Sequence, residues 1–526
     1  MASEGETNNI GINSDLVTLR RYLSMGQTSG TYYVVNKEPK ENPLPECTQT
    51  ILEEGRGGDI VKELVRFSKA GHVLHEESYM KVLVCVARSK DTSAKKAVYN
   101  ELGQLCSTAS GLFRFVDGVE KGGEGTGWGR MQRKAICNWY CSKDGQELAR
   151  LVTGCKQRGG WSHRDLIRLA HVKPPAEGSG TAIVLKYIMR GLKNVLESHP
   201  SEGADDSTRA LTEFLRDVDG LRKEEDLERV AGLVEKHKLS PEHLPTKSLK
   251  SKDVWKALVP HLSVQSLLDN IVRLASMGLF KPKSPEVDVI CRRLQTPSAL
   301  SESHVHPFSV LMAQRIYRSK KVEKTKAHWE INKELMKALT EAYHKAFEVS
   351  EKTGKRYLLA VDVSSSMALS GVNGTRNIAA REAAATIAMM IAKKEEDSRV
   401  MGFTSELKEI PITANMKLED AVKKMGELSM GQTDFAQPML WAVKNKIAVD
   451  QFIMCTDCET FNGDVSAADA LAQYRQAMKI DAKVAIVAMT SNSFSMANAD
   501  DQSMLDIAGF NGHAAKLLQS MALNFQ

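Results

Sequence analysis

The chain carries two different hydrophobic patterns, which meet near residue 354. From about Ser14 to Ala346, apolar residues recur at helical spacing, with short polar connections and little strand-like alternation. This pattern predicts an all-α region. Beyond 351–355, apolar strands alternate with helices, and we predict strands at about 357–363, 399–403, 451–456 and 483–489, with helices such as 378–392 and 467–478 between them.

The two patterns predict three segments: a flexible tail over 1–13, a helical domain over 14–354 and an α/β domain over 355–526. Several helices fall into pairs over about 40 residues, which favours a HEAT-like or armadillo-like solenoid. An irregular helical bundle is the alternative, because no repeated residue signature accompanies the period. Strands alternating with helices predict a parallel, doubly wound sheet, whose ligands bind beyond the carboxyl ends of the strands.

One predicted strand runs directly into an Asp-x-Ser-x-Ser motif. The apolar stretch Tyr357–Val361 is followed by Asp362, Ser364 and Ser366. At the end of a buried strand, alternate residues can turn three oxygens toward one point in the following loop. Hard cations such as Mg²⁺ prefer oxygen ligands of this kind. The motif therefore predicts a cation site.

Two further segments supply the rest of such a site. Thr433 lies in the loop 431–434 before an apolar helix, and the strand 452–456 ends at Asp457. The order and spacing of the three segments resemble a von Willebrand factor A domain. The resemblance implies a metal-ion-dependent adhesion site in which Ser364, Ser366 and Thr433 ligate Mg²⁺ or Mn²⁺, while Asp362 and Asp457 bind directly or through water. The alternative is that these Ser and Thr side chains only cap helices.

The positive charge is concentrated in one part of the helical region. The chain has a net charge of +6, but residues 121–190 contain 13 Lys/Arg and 5 Asp/Glu, a net charge of +8. Residues 356–526 contain 16 Lys/Arg and 20 Asp/Glu, a net charge of −4. A local excess of this size is typical of a protein with a polyanionic partner, and nucleic acid is the leading candidate.

Two predicted helices carry this charge. The first begins after Gly129 and places Arg130, Arg133 and Lys134 on one side, with Ala135, Ile136 and Trp139 opposite them. The second begins at a capping box, Ser162 to Asp165, and places Arg164, Arg168 and His171 on one face, with Leu166, Leu169 and Ala170 toward the core. A solvated helix face is the usual explanation for one such cation, whereas two adjacent basic faces favour a phosphate backbone.

Short loops flank these helices. Lys156–Trp161 is predicted to be a flexible basic loop, with Trp161 favouring the core over stacking on a base. The glycine-rich stretch 122–127 lacks the ending of a phosphate-binding loop, and we interpret it as a linker.

Composition limits the cellular setting. The N-terminal residues lack a basic segment followed by an apolar run, so no secretory signal is expected, and no apolar run reaches transmembrane length. The nine scattered cysteines argue against a disulfide framework. We expect a cytoplasmic protein, with the nucleus as a second location, that does not associate with membranes.

The whole arrangement resembles the TROVE family of Ro ribonucleoprotein proteins. The resemblance is carried by the stretch from Lys156 to Pro174, followed by an A domain with Asp362-Val-Ser364-Ser-Ser366. It implies a ring of HEAT-like helix pairs closed by the A domain. Such a ring binds small Y RNAs on its basic outer surface and the single-stranded 3′ ends of misfolded noncoding RNAs, such as aberrant ribosomal RNA precursors, in its central hole, and acts in RNA quality control.

By position in the matching stretch, the resemblance assigns RNA contacts to seven residues: Lys156, Arg158, His163, Arg164, Arg168, His171 and Lys173. Arg130, Arg133 and Lys134 extend this set. We expect a monomer that is not an enzyme.

Two other functions compete with RNA binding. In one, the metal of the A domain captures an acidic side chain of a partner protein and the helices serve as scaffold. In the other, the protein is a metal-dependent phosphodiesterase. The second is weaker, because two-metal nucleases need clustered carboxylates and the sequence has no matching pair of acidic motifs.

Overall fold

The computed structural model describes residues 4–35, 43–70, 73, 75–122, 128–200, 203–320, 328–350, 352–403, 406–413, 415–428, 433–457, 464–491, 496–498 and 501–525. The chain folds into two compact units, Leu44–Leu262 and a second unit formed by Met1–Pro43 with Ser263–Gln526. None of the described helices is both long enough and apolar enough to cross a membrane.

The elements follow in chain order. Before residue 44 lie α1 (Glu4–Met25) and β1 (Thr31–Tyr33). The unit 44–262 contains α2 (Glu46–Glu53), α3 (Gly57–Lys69), α4 (Glu76–Arg88), α5 (Thr92–Asn100), α6 (Leu102–Leu105), α7 (Ala109–Lys121), α8 (Arg130–Cys141), α9 (Gly145–Gly154), β2 (Gln157–Arg158), β3 (Trp161–Ser162), α10 (His163–Ala170), α11 (Gly180–Ser198), α12 (Asp206–Gly220), α13 (Leu227–His237) and α14 (Lys252–Leu258). It also has 3₁₀ helices at Pro241–His243, Ser248–Lys250 and Val259–His261.

The remaining elements begin with the helices α15 (Val264–Asp269), α16 (Ile271–Ser276), α17 (Pro285–Leu294), α18 (Pro297–Glu302), α19 (Pro307–Arg318) and α20 (Lys333–Val349). They continue with β4 (Tyr357–Asp362), α21 (Ser366–Leu369), β5 (Gly371–Val372), β6 (Thr375–Ala379), α22 (Ala380–Lys394), β7 (Ser398–Phe403), β8 (Leu407–Glu409), α23 (Leu418–Gly426), α24 (Gln437–Asn445), β9 (Gln451–Thr456), α25 (Ala467–Met478), β10 (Lys483–Ala488), β11 (Met504–Ala508) and α26 (Gly512–Ala522).

The unit 44–262 is built from helices that pack on near neighbours in the sequence. For example, α4 contacts α3, α5 and α7, and α9 contacts α11 and α12. Apolar residues at helical spacing provide these contacts, as in α3, where Ile60, Leu64 and Phe67 are buried. The predicted helical region followed by an α/β domain is confirmed, while the HEAT-like repeat and the ring stay predictions.

The second unit is organised by a mixed sheet in the order β1-β11-β10-β9-β4-β7-β8. Its neighbouring strands pair parallel, except for the antiparallel pair β7–β8. Every residue of β4, β9 and β10 is buried, because helices cover both faces of the sheet. One face packs on α24 and α25, and α22 and α26 contact strands as well, which gives the predicted doubly wound arrangement.

The division into units differs from the predicted domains in two ways. The predicted tail over 1–13 is helical from Glu4, the start of α1. The helices α15 to α20 belong with the sheet rather than with the unit 44–262. Of these, α19 and α20 are held to α22 by an ion pair between Arg315 and Glu382, 2.7 Å, and by a hydrogen bond from the Tyr343 hydroxyl to Thr386 Oγ1, 3.0 Å.

The N-terminal segment contributes an edge strand that the sequence pattern does not predict. Thr31 to Tyr33 pair with Asp506 to Ala508. The segment is anchored by Arg21, whose side chain is 1% exposed. Its guanidinium donates to the carbonyl oxygens of Gln502 and Met504, at 2.9 and 2.8 Å. Residues far apart in the sequence therefore complete one sheet.

Candidate nucleic-acid interface and metal centre

The two basic helices of the sequence analysis, α8 and α10, pack against each other. The contact includes the Cys137 thiol, which donates to the Ala170 carbonyl at 3.4 Å, and the Cys141 thiol, which donates to the Lys173 carbonyl at 3.2 Å. The exposed sides of these helices therefore lie next to each other on the unit 44–262.

Helix α8 separates apolar from basic residues as predicted. Ala135, Ile136 and Trp139 are buried. Arg130, Arg133 and Lys134 are exposed. The helix begins after Gly129, whose backbone is extended at the cap position.

Helix α10 begins at the predicted capping box. The Ser162 backbone N–H donates to Asp165 Oδ2 at 3.0 Å, and the Asp165 N–H donates to Ser162 Oγ at 3.4 Å. This reciprocal pair fixes the orientation of the first turn. Arg164, Arg168 and His171 are exposed, as the helical spacing predicts.

One core assignment on α10 is wrong. Leu169 is 41% exposed, and Ile167 takes its predicted place in the core. The buried positions are 163, 166, 167 and 170, which form the i, i+3, i+4, i+7 pattern of a single helix face. Leu169 lies between Arg168 and Ala170 and turns outward with the basic residues.

The predicted flexible loop is instead a two-residue β-hairpin. Gln157 pairs with Ser162 and Arg158 with Trp161, while Gly159 and Gly160 have φ values of 59° and 86°. Two positive φ angles at a two-residue turn match the twist of the flanking strands and favour glycine. The exposed Arg158 donates to Ser110 Oγ at 2.7 Å, and the half-buried Trp161 lies 6.2 Å from the Trp128 ring rather than in the core.

His163 does not lie on the exposed face. Its side chain is 3% exposed, with Nδ1 2.7 Å from the Tyr140 hydroxyl and Nε2 2.9 Å from the Cys155 carbonyl. Because a carbonyl only accepts, Nε2 carries the proton and Nδ1 accepts from Tyr140. Burial lowers the pKa of His163 to about 4, so the ring is neutral near pH 7. The prediction that His163 contacts RNA is therefore wrong: the residue is buried, and it links α10 to Tyr140 of α8 and to Cys155 at the end of α9.

Lys156 is half-buried, and its Nζ lies 3.7 Å from Asp219 Oδ1. Lys173 is exposed just beyond α10. We define the basic surface as the exposed members of the predicted set: Arg130, Arg133, Lys134, Arg158, Arg164, Arg168, His171 and Lys173. These residues come from two packed helices and the adjoining hairpin.

The second candidate site lies at the carboxyl ends of β4 and β9, which are neighbours in the sheet. Asp362 ends β4 and Asp457 follows β9. They are 4% and 9% exposed. In the sheet order β4 lies between β9 and β7, so the later strands lie on both sides of it. Doubly wound sheets bind their ligands at such a switch point, beyond the carboxyl ends of the strands.

Four of the five side chains predicted to hold the metal, those of Asp362, Ser364, Ser366 and Thr433, are linked at this point. Asp362 Oδ1 accepts from the Ser364 N–H at 2.8 Å, and Asp362 Oδ2 accepts from the Thr433 hydroxyl at 3.2 Å. Ser364 Oγ and Ser366 Oγ are 2.9 Å apart. The donor set consists of carboxylate and hydroxyl oxygens, which fits a hard cation such as Mg²⁺. Gly431 and Gln432 lie outside the described residues.

Two residues that sequence reasoning missed support the same site. The Thr456 hydroxyl donates to Asp362 Oδ2 at 3.0 Å. Arg381 donates to the carbonyl oxygens of Val363 and Ser364, at 3.1 and 2.6 Å, and so holds the loop after β4. Burial lowers the pKa of Arg381, and the nearby Asp362 and Asp457 carboxylates oppose this effect. Thr456 ends a predicted strand next to Asp457, so its position in the sequence could have indicated a role at this site. No motif in the sequence points to Arg381.

Within the described part of the chain, no three His, Cys, Asp or Glu side chains converge on a possible metal position. The contacts around Asp362 bring together one carboxylate and the hydroxyls of Ser364, Ser366 and Thr433, while Asp457 follows the neighbouring strand. The full set of five ligands stays a prediction from the resemblance to an A domain.

Comparisons with known proteins agree with both regions. The TROVE domain model matches residues 12–316, and the Ro60 vWA domain model matches residues 356–522. A Caenorhabditis elegans protein named RNA-binding protein RO60 is 30% identical over 96% of this chain and 87% of its own length. The RNA-binding protein RO60 of Deinococcus radiodurans is 29% identical over 97% of this chain and 93% of its own length.

A solved structure has the same fold. The crystal structure of the Deinococcus radiodurans RO (RSR) protein superposes with a TM-score of 0.84 and 27% identity, over 97% of this chain and all of that one. The TROVE model alone spans more than half of the chain, and the A domain carries the Ro60 form of the von Willebrand factor A model. The chain thus belongs to the TROVE family of Ro60 proteins.

Proposed function

We propose that this protein binds structured noncoding RNA through the basic surface. Two packed helices and a hairpin present the exposed cations side by side, and this observation carries the proposal. The relatives in Caenorhabditis elegans and Deinococcus radiodurans are named RNA-binding proteins. Crowded like charges destabilise a fold, and a phosphate backbone neutralises them.

The proposed ligands are small Y RNAs on the basic surface and misfolded noncoding RNAs with a single-stranded 3′ end, in a role in RNA quality control in the cytoplasm. Duplex RNA is recognised mainly through its backbone and shape, which suits arginines on the outside of rigid helices. The role is binding rather than catalysis.

The test is charge reversal on the basic surface. Changing Arg158, Arg164 and Arg168 to Glu removes three cations, so the slope of log affinity against log salt should fall by about 3 for a hairpin RNA. The matched control changes the exposed Lys408, Lys417 and Lys423 of the A domain to Glu, which alters the net charge equally. Equal loss of affinity in the two variants, or unchanged affinity in the first, would show that the basic surface is not the interface.

We also propose that the oxygens around Asp362 hold Mg²⁺ or Mn²⁺. The convergence of Asp362, Ser364, Ser366 and Thr433 supports this assignment. A bound ion would supply an electrophilic position for an oxygen ligand.

The metal gives the second candidate function, capture of an acidic residue of a partner protein. The two functions separate in one experiment. RNA binding should be insensitive to EDTA and to Ser364→Ala, because the basic surface contains none of the metal-site residues. If either treatment abolished RNA binding, the metal centre rather than the basic surface would be the working site.

A further inference from the structure

Arg381 is a buried cation beside the candidate metal centre. It is the second residue of α22 and is 9% exposed. Its Nη2 donates to the carbonyl oxygens of Val363 and Ser364, at 3.1 and 2.6 Å. These two carbonyls lie in the loop between Asp362 and Ser366. The guanidinium is therefore fixed to the backbone that carries three of the predicted metal ligands.

The two carbonyl contacts use only a part of the guanidinium. An arginine side chain has five N–H donors, and both contacts come from one nitrogen. Among the residues that the structure describes, Nε has no hydrogen-bond partner although it is buried. A neutral amide could also donate to these carbonyls, and burying it would cost less free energy than burying a charge. Support of the loop therefore does not by itself account for a full positive charge at this position.

The charges that compensate Arg381 belong to two of the predicted metal ligands. Burial lowers the pKa of Arg381, and the Asp362 and Asp457 carboxylates oppose this effect by attracting the charged form. The attraction is mutual, because the guanidinium also offsets one of the two negative charges that these carboxylates carry. Arg381 and a divalent cation at the centre therefore compete for the same negative charge.

The neighbouring helix leaves space for this guanidinium. Gly426 is the last residue of α23, and a Cβ atom there would lie 2.6 Å from Arg381 Nη1. Gly426 does not have a positive φ, so its backbone conformation does not require glycine. Glycine is also a poor helix former. The space that Arg381 occupies explains the absence of a side chain at this position.

A fixed positive charge has opposite effects on the two kinds of ligand that the centre would hold. It repels a divalent cation and weakens the binding of that cation. It attracts an anion, such as a carboxylate that completes the coordination of the cation. A side chain that only supported the loop would instead help both ligands to bind, because both depend on the same loop.

We propose that Arg381 determines the ligand preference of the metal centre: its charge weakens binding of the cation and strengthens binding of a carboxylate to the loaded centre. The proposal rests on the proposed metal centre and deepens it, since it names the residue that favours an acidic partner. Arg381 is a specificity-determining residue in this proposal and is not a metal ligand.

The test measures two affinities of the full-length protein. The affinity for Mn²⁺ is obtained from the electron paramagnetic resonance signal of the free ion. The affinity of the Mn²⁺-loaded protein for acetate is obtained from the relaxation rate of solvent protons, because acetate displaces bound water. Chloride at the same ionic strength is the control for general salt effects.

The variants separate the charge of Arg381 from its hydrogen bonds. Arg381→Gln removes the charge and keeps an amide donor, so it should bind Mn²⁺ about tenfold more tightly and acetate about tenfold more weakly than the wild type. Arg381→Lys keeps the charge and loses the planar fork, and both of its affinities should stay within about threefold of the wild type. Arg381→Met is a second neutral variant, to be used if circular dichroism shows that Arg381→Gln does not fold.

Arg356→Gln is the matched control, because it changes the net charge of the protein equally. Arg356 precedes β4 at the opposite end of the strand and pairs with Asp450 at 2.7 Å. The six residues of β4 span about 20 Å, which exceeds the Debye length of about 8 Å at physiological salt. Both affinities of this control should match those of the wild type.

The outcomes separate this inference from the proposed metal centre. If the wild type binds no Mn²⁺, the metal centre itself is refuted. If the wild type binds Mn²⁺ but the neutral variants bind both Mn²⁺ and acetate more weakly, or with unchanged affinity, Arg381 only supports the loop and the inference is wrong. If the loaded wild type does not bind acetate, the centre does not favour a carboxylate, and the inference is also overturned.

Discussion

The free energy of unfolding should fall at acidic pH, because the folded protein keeps the His163 ring neutral. The pKa of His163 is lowered from 6.5 to about 4 by burial. Between these values the unfolded chain binds a proton that the folded protein excludes. Stability from this group is therefore complete above about pH 6.5 and falls as the pH drops toward 4.

Linkage converts this shift into a free energy. For the two pKa values, the loss of stability between pH 7.5 and pH 5 is about 2 kcal/mol. Replacing His163 by Gln removes the titration, and at pH 7.5 it should cost about 2 kcal/mol because the buried Tyr140 hydroxyl loses its acceptor. The variant should therefore be less stable than the wild type at pH 7.5 and nearly equal to it at pH 5.

The measurement is denaturant unfolding at a series of pH values, followed by tryptophan fluorescence, since Trp139 stacks near the His163 ring at 6.5 Å. The control is His171→Gln, which changes an exposed histidine beside the same helix and should follow the wild-type pH dependence. The comparison uses the difference between the two curves, because burial also lowers the pKa values of the half-buried His243 and the buried His306. Parallel curves for the wild type and His163→Gln would refute the argument.

Three other predictions follow from particular contacts. Millimolar Mg²⁺ should stabilise the wild type, by about 2.7 kcal/mol when the free Mg²⁺ concentration is 100 times Kd, and so raise its Tm, but it should not raise the Tm of Asp362→Asn. An unchanged wild-type Tm would argue against the metal centre. Gly160→Ala forces a φ of 86° on alanine, so it should lower the free energy of unfolding by about 1 kcal/mol and weaken the binding of hairpin RNA. Gly160→Asn should have a smaller effect on stability. Equal losses of stability for the two variants in calorimetry would contradict the positive φ at this turn. Arg21→Ala leaves two carbonyl oxygens without their donor and should lower the free energy of unfolding by about 3 kcal/mol in denaturant unfolding. The exposed control Lys408→Ala should change the free energy of unfolding little. An unchanged stability of Arg21→Ala would show that the N-terminal segment is not anchored there.

Much of the central sheet was predictable because its strands have a simple pattern. The predicted strand 451–456 and helix 467–478 coincide with β9 and α25. Buried parallel strands are continuous apolar runs, and the following helices have helical spacing. The placement of Asp362, Ser364 and Ser366 at the carboxyl edge of the sheet followed from the same rule. Thr433, in the loop before α24, was predicted only from the resemblance to an A domain.

The features that the sequence pattern did not predict, the edge strand β1 and the burial of His163, depend on partners that are distant in the chain. The strand β1 has three residues, and β11 contains the buried Asp506, so neither has a clear apolar pattern. His163 appeared to be a polar residue in a basic stretch, but its partners Tyr140 and Cys155 come from another helix and from the connection before the hairpin. Local periodicity does not report such pairing.

The pairing of β1 with β11 sets a constraint on the order of synthesis. Thr31 leaves the ribosome long before Asp506, its partner in the sheet. At about 5–20 residues per second, the interval is roughly half a minute or more. During that time, the buried face of α1, with Leu19, Tyr22 and Leu23, lacks the strand that anchors its segment. A nascent chain that stops before β11 therefore lacks both the partner strand of β1 and the Met504 carbonyl that accepts from Arg21, so the N-terminal segment is anchored only once β11 has been made.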